Sequence, residues 1–238
     1  MNFNTVNNTN IMNDFFWLHI KKAGGESFRK TFTPPYVQTD RVKNHKPFIA
    51  LPKEEWNDAL NNFRIPLGEY DYKRMLFAKK FLYTPEEFDH MFKFVIVRNP
   101  YDRIVSCWKY FYGYYTLDKM ITSPRNYRKK VSFQYFLESL PRQWEFKHHR
   151  SLATHTVPIW SDITDENGEL LVDKIIKLEN INEGIRFLNE RLNISIEEFS
   201  HINKSRSSNT YQKYYNKTTR EIVERYYGED IEKLGYEF

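Results

Sequence analysis

Two short apolar segments, each leading directly into a turn and a helical pattern, constrain the fold of this chain most. The first, DFFWLHI, spans residues 14–20, and the second, FKFVIV, spans residues 92–97. The first is a continuous apolar run, which predicts a strand that is buried on both faces, and the second is predicted to be another buried strand. A third segment, DKIIKLE at residues 173–179, precedes another helical pattern. Strands that lead straight into helices predict an α/β fold with a central, mainly parallel sheet.

Composition and length predict one domain at residues 14–238, preceded by a flexible, asparagine-rich tail at residues 1–13. The tail lacks the features of a signal peptide, and no apolar run reaches membrane-spanning length. Cys107 is the single cysteine, so no intramolecular disulfide can form. We therefore expect a cytoplasmic protein with no integral membrane segment. A net charge of +5 favours anionic ligands without choosing among nucleotides, nucleic acids and acidic glycans.

Local signals predict several helix boundaries. Two pairs of residues have capping-box spacing: Thr84 with Glu87, and Thr218 with Glu221. The helix that contains SFQYFLESL is expected to end near Pro141, because proline lacks a backbone N–H. The polar stretch that follows, as far as Leu170, is expected to be irregular.

The first strand–helix junction reads KKAGGES at residues 21–27. Glycines allow a tight turn, the helix that follows presents its positive end, and lysine supplies a mobile charge, so the turn suits a phosphate-like group. In the nucleotide-kinase loop the lysine follows the second glycine, whereas Lys22 precedes both glycines here. A tight turn with a solvated lysine pair is the alternative interpretation.

The second junction reads RNPYDRIVS at residues 98–106. Arg98 follows the strand at once, Pro100 favours the start of a helix, and Ser106 lies about two turns along it. An arginine fork can bind a phosphate through two hydrogen bonds, and a serine hydroxyl can add another. The alternative is a structural ion pair between Arg98 and Asp102, with the serine satisfied inside its helix.

Together the two junctions resemble the cofactor loops of the sulfotransferases that use 3′-phosphoadenosine 5′-phosphosulfate (PAPS). LHIKKAGGES resembles the 5′-phosphosulfate loop H-I-P-K-T-G-G-T-S, and FVIVRNPYDRIVSCW resembles the 3′-phosphate motif F-V-R-N-P-[YFW]-[DE]-R-L-V-S-A-Y. The closer resemblance is to the carbohydrate-type family 2, which includes heparan sulfate 2-O-sulfotransferase and bacterial members. Matching segments extend from Phe15 to Phe238, and the stretch at residues 46–83 matches least.

The resemblance implies a single-domain, three-layer α/β/α fold of the P-loop NTPase-like sulfotransferase type. It implies in-line, metal-independent transfer of a sulfuryl group from PAPS to a hydroxyl of a carbohydrate or glycoconjugate, with 3′,5′-adenosine bisphosphate as the product. No nucleic-acid partner and no metal site are expected. The poorly matching stretch is the expected place for acceptor specificity.

The resemblance also assigns roles to individual residues. Lys22 is expected to stabilise the bridging oxygen as the 5′-phosphate leaves. His45, between the two loops, is the expected general base, with His155 as the next choice. The residues expected to bind the cofactor are Lys22, Ala23, Gly24, Gly25, Glu26, Ser27, Arg98, Ser106, Asn203, Lys204, Ser205 and Arg206.

The first loop departs from the family pattern at Lys21, which replaces a proline, and at Ala23 and Glu26, which replace threonines. The Glu26 carboxylate would repel an anionic cofactor unless it turns outward or pairs with Lys21. Two other functions stay open. One is a P-loop small-molecule kinase, which would need magnesium and a second carboxylate such as Glu179. The other is a sulfotransferase fold that binds cofactor or acidic glycan without turnover.

Overall fold

The structure, a computed structural model, describes residues 15–31, 48–62, 65–112, 131–146, 150–194 and 211–238. The predicted tail at residues 1–13 lies outside these ranges. The strands are β1 (Phe15–Leu18), β2 (Phe92–Val97) and β3 (Lys174–Lys177). In chain order the α-helices of the described ranges are α1 (Gly25–Thr31), α2 (Trp56–Leu60), α3 (Arg74–Phe77), α4 (Pro85–His90), α5 (Pro100–Tyr112), α6 (Phe133–Phe146), α7 (Arg150–Thr156), α8 (Trp160–Ile163), α9 (Ile181–Leu192) and α10 (Lys217–Lys233). A π-helical turn (Ala78–Leu82) follows α3 directly.

The strands form a parallel sheet with the order β1-β2-β3 across the described residues. Phe15 pairs in register with Phe92, and Trp17 pairs with Phe94. Every residue of β1 and β2 is buried, as predicted for both strands. The charged Lys93 of β2 is buried because its ammonium donates to the carbonyls of Phe88 at 2.9 Å and Met91 at 2.6 Å. The predicted α/β class with a parallel sheet is therefore confirmed.

The chain divides into two compact units, which are described separately: Met1–Val97 with Ile159–Asn203, and Arg98–Pro158 with Lys204–Phe238. The first contains the sheet, and its core includes Trp17, Phe28, Phe94 and Ile176. Helix α9 lies close to β3 because Gly184 has no side chain. A Cβ at Gly184 would lie 2.2 Å from Cγ2 of Ile176.

The second unit packs α5, α6, α7 and α10 around a core of its own. The core includes Tyr101, Ile104, Phe136, Val223 and Tyr227, all buried. Here α6 continues through Pro141 to Phe146, so the prediction that it ends near Pro141 was wrong. Burial of an apolar face outweighs the one backbone hydrogen bond that proline removes.

The polar stretch before residue 171 was also wrongly predicted to be irregular, since α7 and α8 lie within it. In α7 the hydroxyl of Thr154 donates to the Arg150 carbonyl at 2.8 Å, and that of Thr156 donates to the Leu152 carbonyl at 2.8 Å. These bonds satisfy the hydroxyl groups internally, so a polar sequence can form a buried helix.

Capping residues explain where two helices begin. Thr84 and Glu87 form the predicted capping box at the start of α4. At the start of α10 the capping box consists of Asn216 and Thr219. The predicted pair of Thr218 and Glu221 was therefore wrong, because the helix begins two residues earlier than that pair requires. No helix in the described ranges is long and apolar enough to cross a membrane.

Candidate functional site

The predicted phosphosulfate loop lies in the first unit, at the carboxyl end of β1. The Ala23 N–H donates to the Ile20 carbonyl at 3.3 Å, and the Phe28 N–H donates to the Gly24 carbonyl at 2.9 Å, which opens α1. Lys22 has a φ of 66° and Gly24 a φ of 81°. A left-handed conformation is strained for a lysine, so the turn holds Lys22 in a backbone geometry that few lysines adopt. Its side chain is half-buried.

The His19 ring packs against the start of α1 and so fixes the position of this turn. Its ring stacks on Trp17, with the ring centroids 4.9 Å apart. A Cβ at Gly25 would lie 1.8 Å from His19 Nε2, so only glycine allows the helix to start against this ring. His19 therefore packs under the loop, and this contact explains the second glycine of the motif.

Two of the three residues that depart from the family pattern, Lys21 and Glu26, occupy different environments. Lys21 is buried, and its Nζ lies 3.3 Å from His19 Nδ1. Glu26 is exposed in the first turn of α1, where its negative charge interacts favourably with the positive end of the helix dipole. The Glu26 side chain is thus open to solvent.

A buried polar network holds the end of β1, and the sequence analysis did not identify it. Asp162 accepts hydrogen bonds from Arg74 Nε at 2.9 Å and from Arg74 Nη2 at 2.6 Å. Arg74 Nη1 donates to the His19 carbonyl at 3.2 Å. The Asn61 side chain bonds the His19 N–H and the Trp17 carbonyl. The only available signal was a set of polar residues inside otherwise apolar helical segments.

The 3′-phosphate motif begins the second unit. The Asn99 side chain accepts from the Tyr101 N–H at 3.0 Å and so caps α5. Arg98 donates to Asp102 Oδ2 from Nε at 2.9 Å and from Nη2 at 2.7 Å. The ion pair of the alternative interpretation is therefore present, and it fixes the orientation of the guanidinium. Ser106 is half-buried in α5.

Other residues of this motif hold the rest of the second unit together. Arg103 is buried and donates from Nη2 to the carbonyls of His155 at 3.1 Å and Val157 at 2.9 Å. The Asn99 side-chain amide donates to the Glu237 carbonyl at 2.9 Å. The arginine after the aspartate of the motif therefore has a structural role, which is to tie α5 to the end of α7.

Burial changes the acid–base behaviour of this unit. Burial, and next the nearby carboxylate of Glu224, raises the pKa of Tyr101 to about 12. The Tyr101 hydroxyl donates to Glu224 Oε1 at 3.2 Å. Burial also raises the pKa values of Tyr215 and Tyr227. These phenols are therefore neutral at physiological pH, and none is a phenolate base.

His155, the second candidate for the general base, lies in this core. Its ring is buried, stacks on Tyr110 with the centroids 5.2 Å apart, and bonds the Ser151 carbonyl through Nδ1 at 2.6 Å. These contacts give the ring a packing role. Five other expected site residues lie outside the described ranges: His45, Asn203, Lys204, Ser205 and Arg206.

The kinase alternative would need a second carboxylate, for which Glu179 was the candidate. Glu179 is exposed in the short helical turn after β3. Among the described residues, no group of three or more His, Cys, Asp or Glu side chains could hold a metal ion.

Comparison with known proteins identifies the family. The chain matches the model of a family described as the sulfotransferase family over residues 8–237, which is nearly its full length. It has no significant match among curated proteins or among solved structures. The match includes both strand–loop–helix junctions and the parallel sheet. The chain therefore belongs to the sulfotransferase family, whose members are enzymes that transfer sulfuryl groups.

Proposed function

We propose that this enzyme transfers the sulfuryl group of PAPS to a hydroxyl of a carbohydrate or glycoconjugate. The observation that carries the proposal is the turn after β1. There Lys22, in a left-handed backbone conformation, stands beside two glycines and the start of α1. The chemistry of this turn fits an anionic sulfate or phosphate donor, because it combines a cation with glycine backbone.

The 5′-phosphosulfate of the donor would bind the backbone N–H groups of residues 24–27 and the Lys22 ammonium. The Ala23 N–H, which was also expected to bind it, donates instead to the Ile20 carbonyl within the turn. The Glu26 carboxylate is exposed, so solvent screens its charge and weakens the expected repulsion of the donor. The 3′-phosphate would bind Arg98 and Ser106, together with the Asn203–Arg206 segment of the family pattern. Asp102 supports the role of Arg98, because two hydrogen bonds hold the guanidinium plane in one orientation.

When bound, PAPS supplies an activated sulfuryl group whose transfer has a loose, in-line transition state like that of phosphoryl transfer. The chain's residues then act mainly by position and charge. Lys22 places a positive charge where negative charge develops on the leaving phosphate. His45 accepts the proton of the acceptor hydroxyl, a task suited to an imidazole near neutral pH.

An aromatic cluster supports a carbohydrate as the acceptor. Tyr70, Phe77 and Phe81 form it, with ring centroids 5.1 Å apart for Tyr70–Phe81 and 5.2 Å apart for Phe77–Phe81. Phe81 is 57% exposed. The cluster lies in the stretch that matches the family pattern least, and aromatic faces of this kind bind the apolar faces of sugars.

A thermal-shift experiment tests the donor. We expect 3′,5′-adenosine bisphosphate to raise the melting temperature, and ATP with magnesium to have a much smaller effect. Stabilisation by ATP–magnesium alone would favour the small-molecule kinase.

A transfer assay with radiolabelled PAPS and a panel of glycans then tests turnover. Binding of 3′,5′-adenosine bisphosphate without transfer to any hydroxyl acceptor would favour a fold that has kept its cofactor and lost catalysis. Replacing Phe81 by alanine should raise the KM for the accepted glycan and leave the KM for PAPS unchanged. Tyr135→Ala, which alters another exposed aromatic residue, is the control.

A further inference from the structure

We propose that the buried ion pair of Arg74 and Asp162 is a positioning device for the phosphosulfate loop. The pair fixes the position of the main chain at the carboxyl end of β1, and thereby the position of Lys22. This inference rests on the proposed function for its catalytic consequence, because only a sulfate donor gives the position of Lys22 its importance.

The pair is built to hold one geometry. Asp162 accepts from the Arg74 side chain at Nε and Nη2, and also from the Arg74 backbone N–H at 2.8 Å. The side chains of Arg74 and Asp162 are only 10% and 3% exposed. Because both the guanidinium and the backbone N–H of Arg74 are bonded to Asp162, the side chain cannot rotate without breaking several buried hydrogen bonds.

The fixed guanidinium reaches the end of β1 directly and through Asn61. Arg74 Nη1 donates to the His19 carbonyl at 3.2 Å and to Asn61 Oδ1 at 3.3 Å. Asn61 Oδ1 accepts from the His19 N–H at 2.8 Å, and its amide donates to the Trp17 carbonyl at 2.7 Å. The side chain of Asn57 bonds both the N–H and the carbonyl of Trp17.

These side chains complete the hydrogen bonding of an edge strand. In the described sheet β1 pairs only with β2, so its other edge presents backbone groups that need partners. Asparagine and arginine side chains bond those groups in place of a further strand. The register of the last residues of β1 therefore depends on side chains from α2, α3 and α8.

Any displacement at His19 passes directly to the loop. Lys22 follows His19 by three residues, and the His19 ring leaves no room for a Cβ at Gly25. The Ala23 N–H is also bonded to the Ile20 carbonyl. A catalytic group misplaced by about 1 Å can lose on the order of a hundredfold in rate, so small shifts here have a large effect.

A positioning role differs from a purely stabilising one in what it predicts. Buried ion pairs often contribute little net stability and can be replaced by apolar residues of similar volume without loss. The double variant Arg74→Met with Asp162→Leu removes both charges together, so it should lower the melting temperature only because the buried Arg74 N–H and the His19 carbonyl lose these partners. It should lose at least tenfold in kcat, because the bond to the His19 carbonyl is gone.

The experiment compares this double variant and Asp162→Asn with a control, Asp173→Asn, at a carboxylate whose side chain is 47% exposed. Asp173 also accepts a backbone N–H, that of Lys93 at 2.6 Å, and pairs with the Lys93 ammonium at 3.1 Å. It lies beside the amino ends of β2 and β3, away from the loop. Three quantities are measured well below each melting temperature: kcat, the Kd for 3′,5′-adenosine bisphosphate, and amide hydrogen exchange of residues 19–25.

We expect lower kcat, weaker binding and faster exchange of residues 19–25 in the Asp162 variants, with all three near wild type in Asp173→Asn. Wild-type values in the double variant would overturn the proposal, as would equal losses in the control. If Asp162→Asn does not fold, the double variant decides. If the wild type binds no 3′,5′-adenosine bisphosphate, the proposed function fails. The exchange of residues 19–25 then still tests the positioning role.

Discussion

Gly25 and the ring of His19 occupy the same small space at the start of α1. A Cβ on Gly25 would lie 1.8 Å from His19 Nε2, closer than any two non-bonded atoms can approach. Since the ring also stacks on Trp17, it cannot simply move aside. The glycine of the loop is therefore required by packing behind the loop.

Gly25→Ala should destabilise the protein by about 1–3 kcal/mol, the usual cost of overpacking. It should also weaken binding of 3′,5′-adenosine bisphosphate. Calorimetry and thermal unfolding measure the two effects. The control is Gly228→Ala, because a Cβ there meets nothing within 4 Å and alanine favours a helix. Equal stability of the two variants would contradict the packing argument.

Lys22→Ala should lower kcat about a hundredfold to a thousandfold, the usual effect of removing one group that stabilises transition-state charge. The melting temperature should change little, since the side chain is only half-buried. Lys79→Ala removes an exposed lysine of the π-helical turn Ala78–Leu82 and should leave kcat unchanged. Normal turnover in Lys22→Ala would remove Lys22 from the mechanism.

Glu26→Thr restores the residue of the family pattern, and we expect less than a twofold change in affinity for 3′,5′-adenosine bisphosphate. The reason is that Glu26 is exposed, so solvent screens its charge from the loop. Isothermal titration calorimetry measures the affinity. A tenfold gain on substitution would show that the carboxylate faces the bound cofactor.

Arg98→Ala should weaken binding of 3′,5′-adenosine bisphosphate by about tenfold to a hundredfold, because hydrogen bonds to charged groups contribute about 1.5–3 kcal/mol. Binding of adenosine 5′-phosphate, which lacks the 3′-phosphate, should change much less. Arg220→Ala breaks a comparable pair, with Glu224, four residues apart on an exposed helix face. Normal binding of 3′,5′-adenosine bisphosphate by Arg98→Ala would mean that Arg98 has only a structural role, in its ion pair with Asp102.

The second unit should lose stability in alkali. The pKa of Tyr101 is raised to about 12 in the folded protein, first by burial and then by Glu224. An unfolded tyrosine titrates near about 10, so its contribution to stability is complete below that pH and is lost as the pH rises toward 12. Denaturant midpoints should therefore show no loss from Tyr101 up to about pH 10 and should fall as the pH rises from there toward about 12.

Tyr101→Phe should show a shallower alkaline decline than the wild type, because it has no phenol to ionise. Some decline should remain, since burial raises the pKa values of Tyr215 and Tyr227 as well. Tyr135→Phe, at an exposed position, should follow the wild-type curve. Parallel curves for Tyr101→Phe and the wild type would exclude Tyr101 as a source of the decline.

Sequence alone was sufficient where the relevant residues are neighbours in the chain. The apolar runs of β1 and β2, the glycine turn after Ile20 and the capping box of α4 were all predicted correctly. Each depends on local periodicity or turn chemistry, which a short window of sequence contains. The same local signals led to the family, because its two motifs are themselves contiguous.

Tertiary structure alone decided what holds those motifs in place. Arg74 and Asp162 are 88 residues apart, and Asn61 reaches β1 across 42 residues to the backbone of His19. Pro141 remains inside a helix because one face of that helix is buried in a core formed by distant segments. Such contacts depend on which surfaces meet when the chain folds. Sequence determined the loop that carries Lys22, whereas long-range packing determined the position of that loop.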